Sequence, residues 1–280
     1  MVRRPAWLRP GTIFLLIALG IGALFMVVPF VWMVSTSLKP SNQVLSLPPQ
    51  MIPESPTIAA YQNIFNRFPM ARVLGNSALV ASSSTLGQLL LCSMAGYAFA
   101  RFRFRGREAL FLLYLMTLMI PFAVTIIPLF IIIVNLGWAN SYAGLIVPGM
   151  FSAFGTFLMR QFFQSIPREL EEAATIDGAG TIRTFFTIIV PLSGAPLATL
   201  GLLSFMGSWN NFLWPMLITN DRHLMTLPVA LQALQGIYPG QNQWNLLMAG
   251  SVVAVIPIMI VFLFAQRWFI EGVASSGLKG

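Results

Sequence analysis

Charge is what this chain has least of. Only 9% of its 280 residues are charged and 57% are hydrophobic, with a mean hydropathy of +0.78. A soluble domain carries roughly 25% charged residues to cover its surface, so a water-soluble globule is excluded and the chain needs lipid as solvent. One cysteine, Cys92, excludes a disulfide framework and a paired-cysteine metal site. Its place in an apolar run makes it a small buried hydrophobe. One histidine, His223, follows Asp221 and Arg222 in a polar stretch and reads as a solvated side chain, not a metal ligand or base. The apolar runs hold no acid or base near their centres, which excludes a proton relay or an intramembrane protease. Arg160, Arg267 and Glu108 stand at run ends, where snorkelling to the interface is expected. Neither lysine fits a phosphate-cradling loop: Lys39 follows Leu38 and Lys279 follows Leu278, so the chain has no nucleotide-hydrolysing motif, no catalytic residue and no cofactor or metal site of its own.

What the chain has is long apolar runs. A bilayer core of about 30 Å takes about 20 helical residues to cross. Six stretches reach that length: Thr12–Ser35, Leu74–Ala100, Ala109–Val134, Tyr142–Phe163, Gly194–Thr219 and Leu246–Phe269. The pattern therefore predicts an all-α polytopic membrane protein of six transmembrane helices, organised as one transmembrane domain over residues 1–280. The first run is too long for a signal peptide and no small-residue cleavage site follows it, so it is expected to stay as an anchor. The fourth and fifth runs are diluted by Gly149, Gly155, Pro196, Gly201 and the polar Ser208–Asn211, as in helices that line a path or pack on neighbours. Pro128, Pro148, Pro196 and Pro257 are the candidate bends.

With six spans both ends share one side. Placing them in the cytoplasm puts Arg3, Arg4, Arg9, Arg101, Arg103, Arg105, Arg107, Arg160, Arg168, Arg183, Arg267 and Lys279 there, twelve of the sixteen basic residues. Only Lys39, Arg67, Arg72 and Arg222 lie outside, so the positive-inside bias predicts a multi-pass protein of the plasma (inner) membrane with cytoplasmic termini. The Arg101–Arg107 run, interleaved with Phe102 and Phe104, suits anchoring at the inner leaflet rather than nucleic acid. The external segment Lys39–Arg72 holds Pro40, Pro48, Pro49, Pro53 and Pro56 and reads as extended and turn-rich; the second external loop is Asn220–Asn245.

The cytoplasmic loop of about 164–194 breaks the charge pattern. It holds four of the eight acids, Glu169, Glu171, Glu172 and Asp177. Pro167 suits a helix start, Arg168–Ile176 favours helix with acids in its first turn, and Asp177-Gly178 ends it. Glu169, Glu172, Ala173 and Ile176 then share one face, and Ala173-Ala174 keeps it slim enough to enter a cleft. Glu171 points to a different face and is expected to matter less. A second helical piece is expected over Thr181–Val190, ended by Pro191, with Thr181 as a candidate cap beside Gly180. Ser82–Thr85 and Gly87 read as small residues for helix packing, and Asn210 and Asn211 as facing protein or an aqueous path.

The order Glu172-Ala173-Ala174, three residues, Gly178, nine residues, Ile188-Ile189-Val190-Pro191 resembles the EAA loop of ABC-importer permease subunits. Val190 replaces the usual leucine. Asp177-Gly178-Ala179, Trp209–Pro215, Thr226-Leu227-Pro228 and the tail from Gly272 to Leu278-Lys279-Gly280 narrow the likeness to the carbohydrate-uptake branch, resembling the second, smaller permease of the maltose importer. The resemblance implies a type I ABC-importer permease fold. It implies a second permease subunit, two ATP-binding-cassette subunits that use ATP and magnesium, and an extracytoplasmic solute-binding protein. It also implies a sugar, oligosaccharide or polyol phosphate as cargo, and a docking loop carried by Glu169, Glu172, Ala173, Ala174, Ile176, Asp177, Gly178 and Pro191. Ser208, Asn210 and Asn211 are the candidates for pathway lining. An ATP-independent carrier or channel for a small polar solute remains the alternative.

Reporter fusions after Arg105 and after Gly178 are expected to report cytoplasm, and fusions near Pro53 and Gly240 the outside. A swap between those pairs would overturn the six-span topology.

Overall fold

The computed structural model describes residues 10–67, 69–237 and 243–277, and among these it is helical, without a strand. Arg3, Arg4, Arg9, Gly240, Leu278, Lys279 and Gly280 lie outside the described residues. The elements run α1 (Pro10–Ser37), α2 (Ala59–Arg67), α3 (Met70–Arg101), α4 (Arg107–Met116), α5 (Phe122–Asn135), α6 (Tyr142–Ile146) and α7 (Ala153–Ser165). There follow α8 (Glu169–Ile176), α9 (Thr181–Thr184), α10 (Val190–Leu192), α11 (Gly194–Trp209), α12 (Leu213–Ile218), α13 (Leu227–Ile237) and α14 (Trp244–Gly277). Four stretches are long and apolar enough to cross a membrane: Gly11–Ser37, Met70–Arg101, Tyr142–Ser165 and Trp244–Arg267. Two bent pairs bring the number to six if each counts as one span: Arg107–Met119 with Phe122–Asn135, and Thr181–Leu192 with Gly194–Trp209.

Contacts group the chain into two units, Met1–Met70 with Leu231–Ile256, and Ala71–Ala230 with Pro257–Gly280. In the first, the apolar window of α1 buries nothing within this chain, leaving Leu24, Phe25 and Met26 exposed. Only hydrocarbon or another apolar surface would solvate that face. The segment after α1 is packed down. Lys39 is wholly buried, its Nζ donating to the Gln50 carbonyl at 2.6 Å and lying 4.6 Å from the centre of the Trp32 ring. Its own carbonyl accepts from Asn245 Nδ2 at 3.1 Å, and the Ser37 and Tyr61 hydroxyls meet at 2.8 Å. The segment is not extended throughout, as its prolines suggested. None falls between Pro56 and Pro69, and α2 forms there with Ala60 and Ile64, one turn apart, both buried.

In the second unit the third apolar run is not one straight helix. Its halves meet at 103°, at Ile120-Pro121 and not at any of the four prolines named as candidate bends. Proline offers no N–H and forces extended backbone on its predecessor; Ile120 has φ −88° and ψ 114°. Pro128 and Pro257 lie inside continuous helices, and Pro148 lies in a 3₁₀ turn over Val147–Met150. The fourth run unwinds after that turn at Phe151-Ser152, and the Ser152 hydroxyl then caps α7 by accepting from Gly155 N at 3.0 Å.

Arg160 does not snorkel. It is 7% exposed, and its Nη2 donates to both oxygens of Glu108 at 2.8 and 2.7 Å, while Nε donates to the Phe99 carbonyl and the guanidinium sits 4.0 Å from the centre of the Phe111 ring. Neighbouring protein thus stands in for the water an arginine would otherwise reach for. Next to it α3 and α7 come together at Gly96, where a Cβ would sit 2.9 Å from the Arg160 backbone nitrogen and from Met159 Cβ. Backbone cannot give way as a side-chain tip can. Gly96→Leu is therefore expected to cost about 1–3 kcal/mol or prevent assembly of the bundle, whereas Gly20→Leu, with no atom within 4 Å, leaves the melting temperature in detergent nearly unchanged. Equal melting temperatures for the two variants would refute this packing.

Candidate functional site

Two features of the second unit concentrate polar groups: the loop helix α8 and a cavity between α3, α7, α11 and α12. The loop leaves α7 through Ile166 and Pro167, and the Arg168 carbonyl accepts from the amides of Glu171 and Glu172 at 2.9 and 3.0 Å to open α8. Three acids fall in its first turn, at the positive end of the helix dipole. Its far end closes as a Schellman motif: Gly178 N donates to Thr175 O at 3.0 Å and Ala179 N to Ala174 O at 2.8 Å. That geometry needs positive φ, and Gly178 has φ +79°. No atom would touch a Cβ added there, so its glycine is required by backbone conformation alone.

Glu169, Glu172, Ala173 and Ile176 are all exposed, Ile176 at 86%. The face that helical spacing groups together is an open one, bearing two carboxylates and an apolar tip. Asp177 and Pro191 are exposed as well. Ala174 is not; it is buried beneath the helix. Glu171 also turns inward. Its Oε1 pairs with Arg101 Nε at 2.5 Å, its Oε2 accepts from the Tyr97 hydroxyl at 2.9 Å, and Arg101 Nη2 donates to the Ile166 carbonyl at 2.7 Å. Glu171 thus points to a different face, as expected, and there it ties α8 to the end of α3. Around this tie Tyr97 packs against Phe163 and Phe185 with ring centroids 6.0 and 5.1 Å away, in a core that includes Ile166, Ile189 and Leu200.

The second helical piece begins without a side-chain cap; Thr181 is its first residue and not its cap. Nor does Pro191 end it. Helix continues to Leu192 because Phe185–Ile189 widens into a π-turn just before the proline, so its missing donor and bulky ring are absorbed there. The turn comes at buried Ser193, whose hydroxyl donates to Ile189 O at 2.6 Å, and α11 leaves at 82°.

The cavity has a volume of about 360 Å³. Its wall includes the unwound backbone at Pro148, Gly149 and Ser152, the α11 residues Ser204 and Ser208, and Asn211 in the break before α12. Side chains one turn apart on α3 satisfy that unwound backbone: Ser84 Oγ donates to Ile146 O at 3.3 Å, Gln88 Nε2 to Gly149 O at 2.9 Å, and Cys92 Sγ to Ser152 O at 3.4 Å. Gln88 also accepts a hydrogen bond from Ser204. Ser84 serves both packing and lining. Of the two asparagines only Asn211 lines the cavity; Asn210 is exposed and bonds back to Met206 O at 3.0 Å. Gln88 and Tyr97 were not singled out in the sequence, and Arg101, read there as part of a run anchoring at the inner leaflet, instead turns inward to Glu171 and the Ile166 carbonyl. Tyr97 and Arg101 one turn apart, and an amide in the middle of the apolar run of α3, were the available signals. Among the described residues no cluster of His, Cys, Asp and Glu is suited to a metal.

Residues 89–275 match the family model described as binding-protein-dependent transport system inner membrane component. An arabinooligosaccharides transport system permease protein of Halalkalibacterium halodurans is 36% identical over 261 residues, covering 92% of this chain and 93% of that one. An sn-glycerol-3-phosphate transport system permease protein of Yersinia pestis bv. Antiqua is 40% identical over 274 residues, covering 94% and 96%. Among solved structures, a chain of a bacterial ABC transporter involved in the import of the acidic polysaccharide alginate superposes with a TM-score of 0.82 at 24% identity, over 95% of this chain and all of that one. At that identity the likeness establishes the fold. The extent of the family match and the identity of the relatives establish the rest: this chain belongs to the inner-membrane permeases of binding-protein-dependent transport systems.

Proposed function

We propose that the chain forms half of the translocation pathway of an ABC importer for a carbohydrate or polyol phosphate, with both termini in the cytoplasm. A second permease completes the path, two ATP-binding-cassette subunits bind ATP and magnesium and dock on α8, and an extracytoplasmic solute-binding protein delivers the cargo. The relatives' names support the substrate class, and the basic asymmetry supports the orientation. One observation carries the coupling role: α8 presents an unpartnered face while its opposite side is fixed to α3 through Glu171, Arg101 and Tyr97. Motion imposed on that face passes through the tie to α3, and through the short connections Ile166–Arg168 and Ser193 to α7 and α11, which wall the cavity. A free carrier has no need of such a face.

This division of labour separates variants by what they lose. Glu172→Ala removes a carboxylate from the docking face; truncating one partner of a buried charged pair costs roughly 2–5 kcal/mol, so the ATPase should no longer co-purify. Glu171→Ala leaves that face intact, so the ATPase should stay bound while transport per ATP hydrolysed falls severalfold. Identical defects in the two would sink the assignment. Gly178→Pro loses the Gly178 N–H and positive φ together and should abolish uptake, whereas Gly178→Asn, which tolerates positive φ, should keep most of it. Full transport in Gly178→Pro would show that α8 is not the transmitter. The isolated chain should hydrolyse no ATP, and solute-stimulated hydrolysis should appear only in the assembled complex. ATP turnover by the purified chain alone would refute the proposed partnership.

A further inference from the structure

Substrate charge is the open question within that reading, because relatives named for a phosphate monoester and for a neutral oligosaccharide match almost equally well. We infer that the cavity of this chain takes an uncharged, polyhydroxylated solute, a neutral saccharide, and rejects phosphorylated and uronate-bearing ones; the inference rests on the importer reading above. None of the eighteen residues lining the cavity is charged. The buried cations of the same unit are already committed, Arg101 to Glu171 and Arg160 to Glu108, and neither arginine reaches the cavity wall. An anion entering here would shed water and find no counter-charge, the costliest form of desolvation.

The groups that do line it suit a sugar. Ser152, Ser208, Asn211 and the second N–H of Gln88 can still donate, while Ser84 and Ser204, whose hydrogens go to Ile146 O and Gln88, can still accept; this mixture matches saccharide hydroxyls, whereas a phosphate or carboxylate only accepts. The Gly149 carbonyl, placed in the wall by the helix break, adds another acceptor that attracts hydroxyls and repels anions. Between the polar groups stand Phe122, Phe154 and Trp214, apolar faces for the C–H side of a sugar ring. About 360 Å³ lies within the usual range of small-molecule sites, roughly 300–1,000 Å³.

The test uses the full importer reconstituted in proteoliposomes with saturating binding protein. Arabinotriose, maltotriose and raffinose serve as neutral probes, with sn-glycerol 3-phosphate and an alginate trisaccharide as anionic ones. At least one neutral probe should stimulate ATP hydrolysis tenfold more than either anion. An anion that stimulates as well as the best neutral probe overturns the inference and leaves the importer reading standing. Stimulation by none of the probes overturns the carbohydrate-importer reading itself. Because the binding protein also selects, a cavity variant decides where the preference resides: Ser208→Arg should shift the neutral-to-anionic ratio at least tenfold toward the anions. Should that variant fail to assemble, Ser208→Ala and Asn211→Leu should lower neutral-probe turnover at least threefold with the ATPase still co-purifying. An unchanged ratio in the first, or unchanged turnover in the other two, overturns the inference.

Discussion

In hydrocarbon every backbone N–H and carbonyl must find its partner within the protein, and the architecture of this chain depends on that constraint. The spans that build its site are broken, at Ile120-Pro121, Val147–Ser152, Ser193 and Asn210–Phe212, so their freed groups have to be met by something other than lipid. Helix α3 meets those of the fourth span. Ser84, Gln88 and Cys92, at four-residue spacing on one face, donate in register to the carbonyls of Ile146, Gly149 and Ser152. Without that row of donors the unwinding would be too costly to persist, and the cavity would close into ordinary helix packing.

Further along the same helix, Gly96 brings the α7 backbone into contact, and Tyr97 and Arg101, roughly half a turn around the axis from Gln88, hold Glu171 of the loop helix. At 1.5 Å per residue the thirteen steps from Gln88 to Arg101 span about 20 Å. One rigid helix therefore carries both the donors that keep the cavity open and the ion pair that fixes α8. Separation of cavity and docking face is consequently compatible with their moving as one body.

How much of this the sequence discloses depends on the range of the interaction. The spans are legible because bilayer thickness imposes a run length on the chain. So is the open face of α8, since Glu169, Glu172, Ala173 and Ile176 are placed together by helical spacing alone, and so is positive φ at Gly178, which follows from a short helix needing a left-handed stop. The bend at Pro121 was missed because its flanks are as apolar as a straight span, and in lipid an unwound apolar stretch and a helical one share a composition. What Glu171 meets was not legible for another reason. Spacing assigns it to a face, but what that face meets is Tyr97 and Arg101, some seventy residues earlier, and no local pattern reports that.

Asn210 and Asn211 show the same limit within two residues. Both are polar groups in an apolar run, equal by any measure of composition, yet α11 ends just before them and the chain turns. Asn210 at the helix end folds its amide back onto Met206 O, satisfying itself locally, whereas Asn211 Oδ1 accepts from Trp214 N at 3.4 Å across the start of α12 and stays in the cavity wall. Trp214 in turn donates its indole N–H to Gly144 O at 3.0 Å, tying α12 to α6 and holding Asn211 in place. A polar residue in a membrane span lines a path only when its neighbours leave some of its hydrogen-bonding capacity unspent, and that is decided by where the helix breaks, not by which residues it contains.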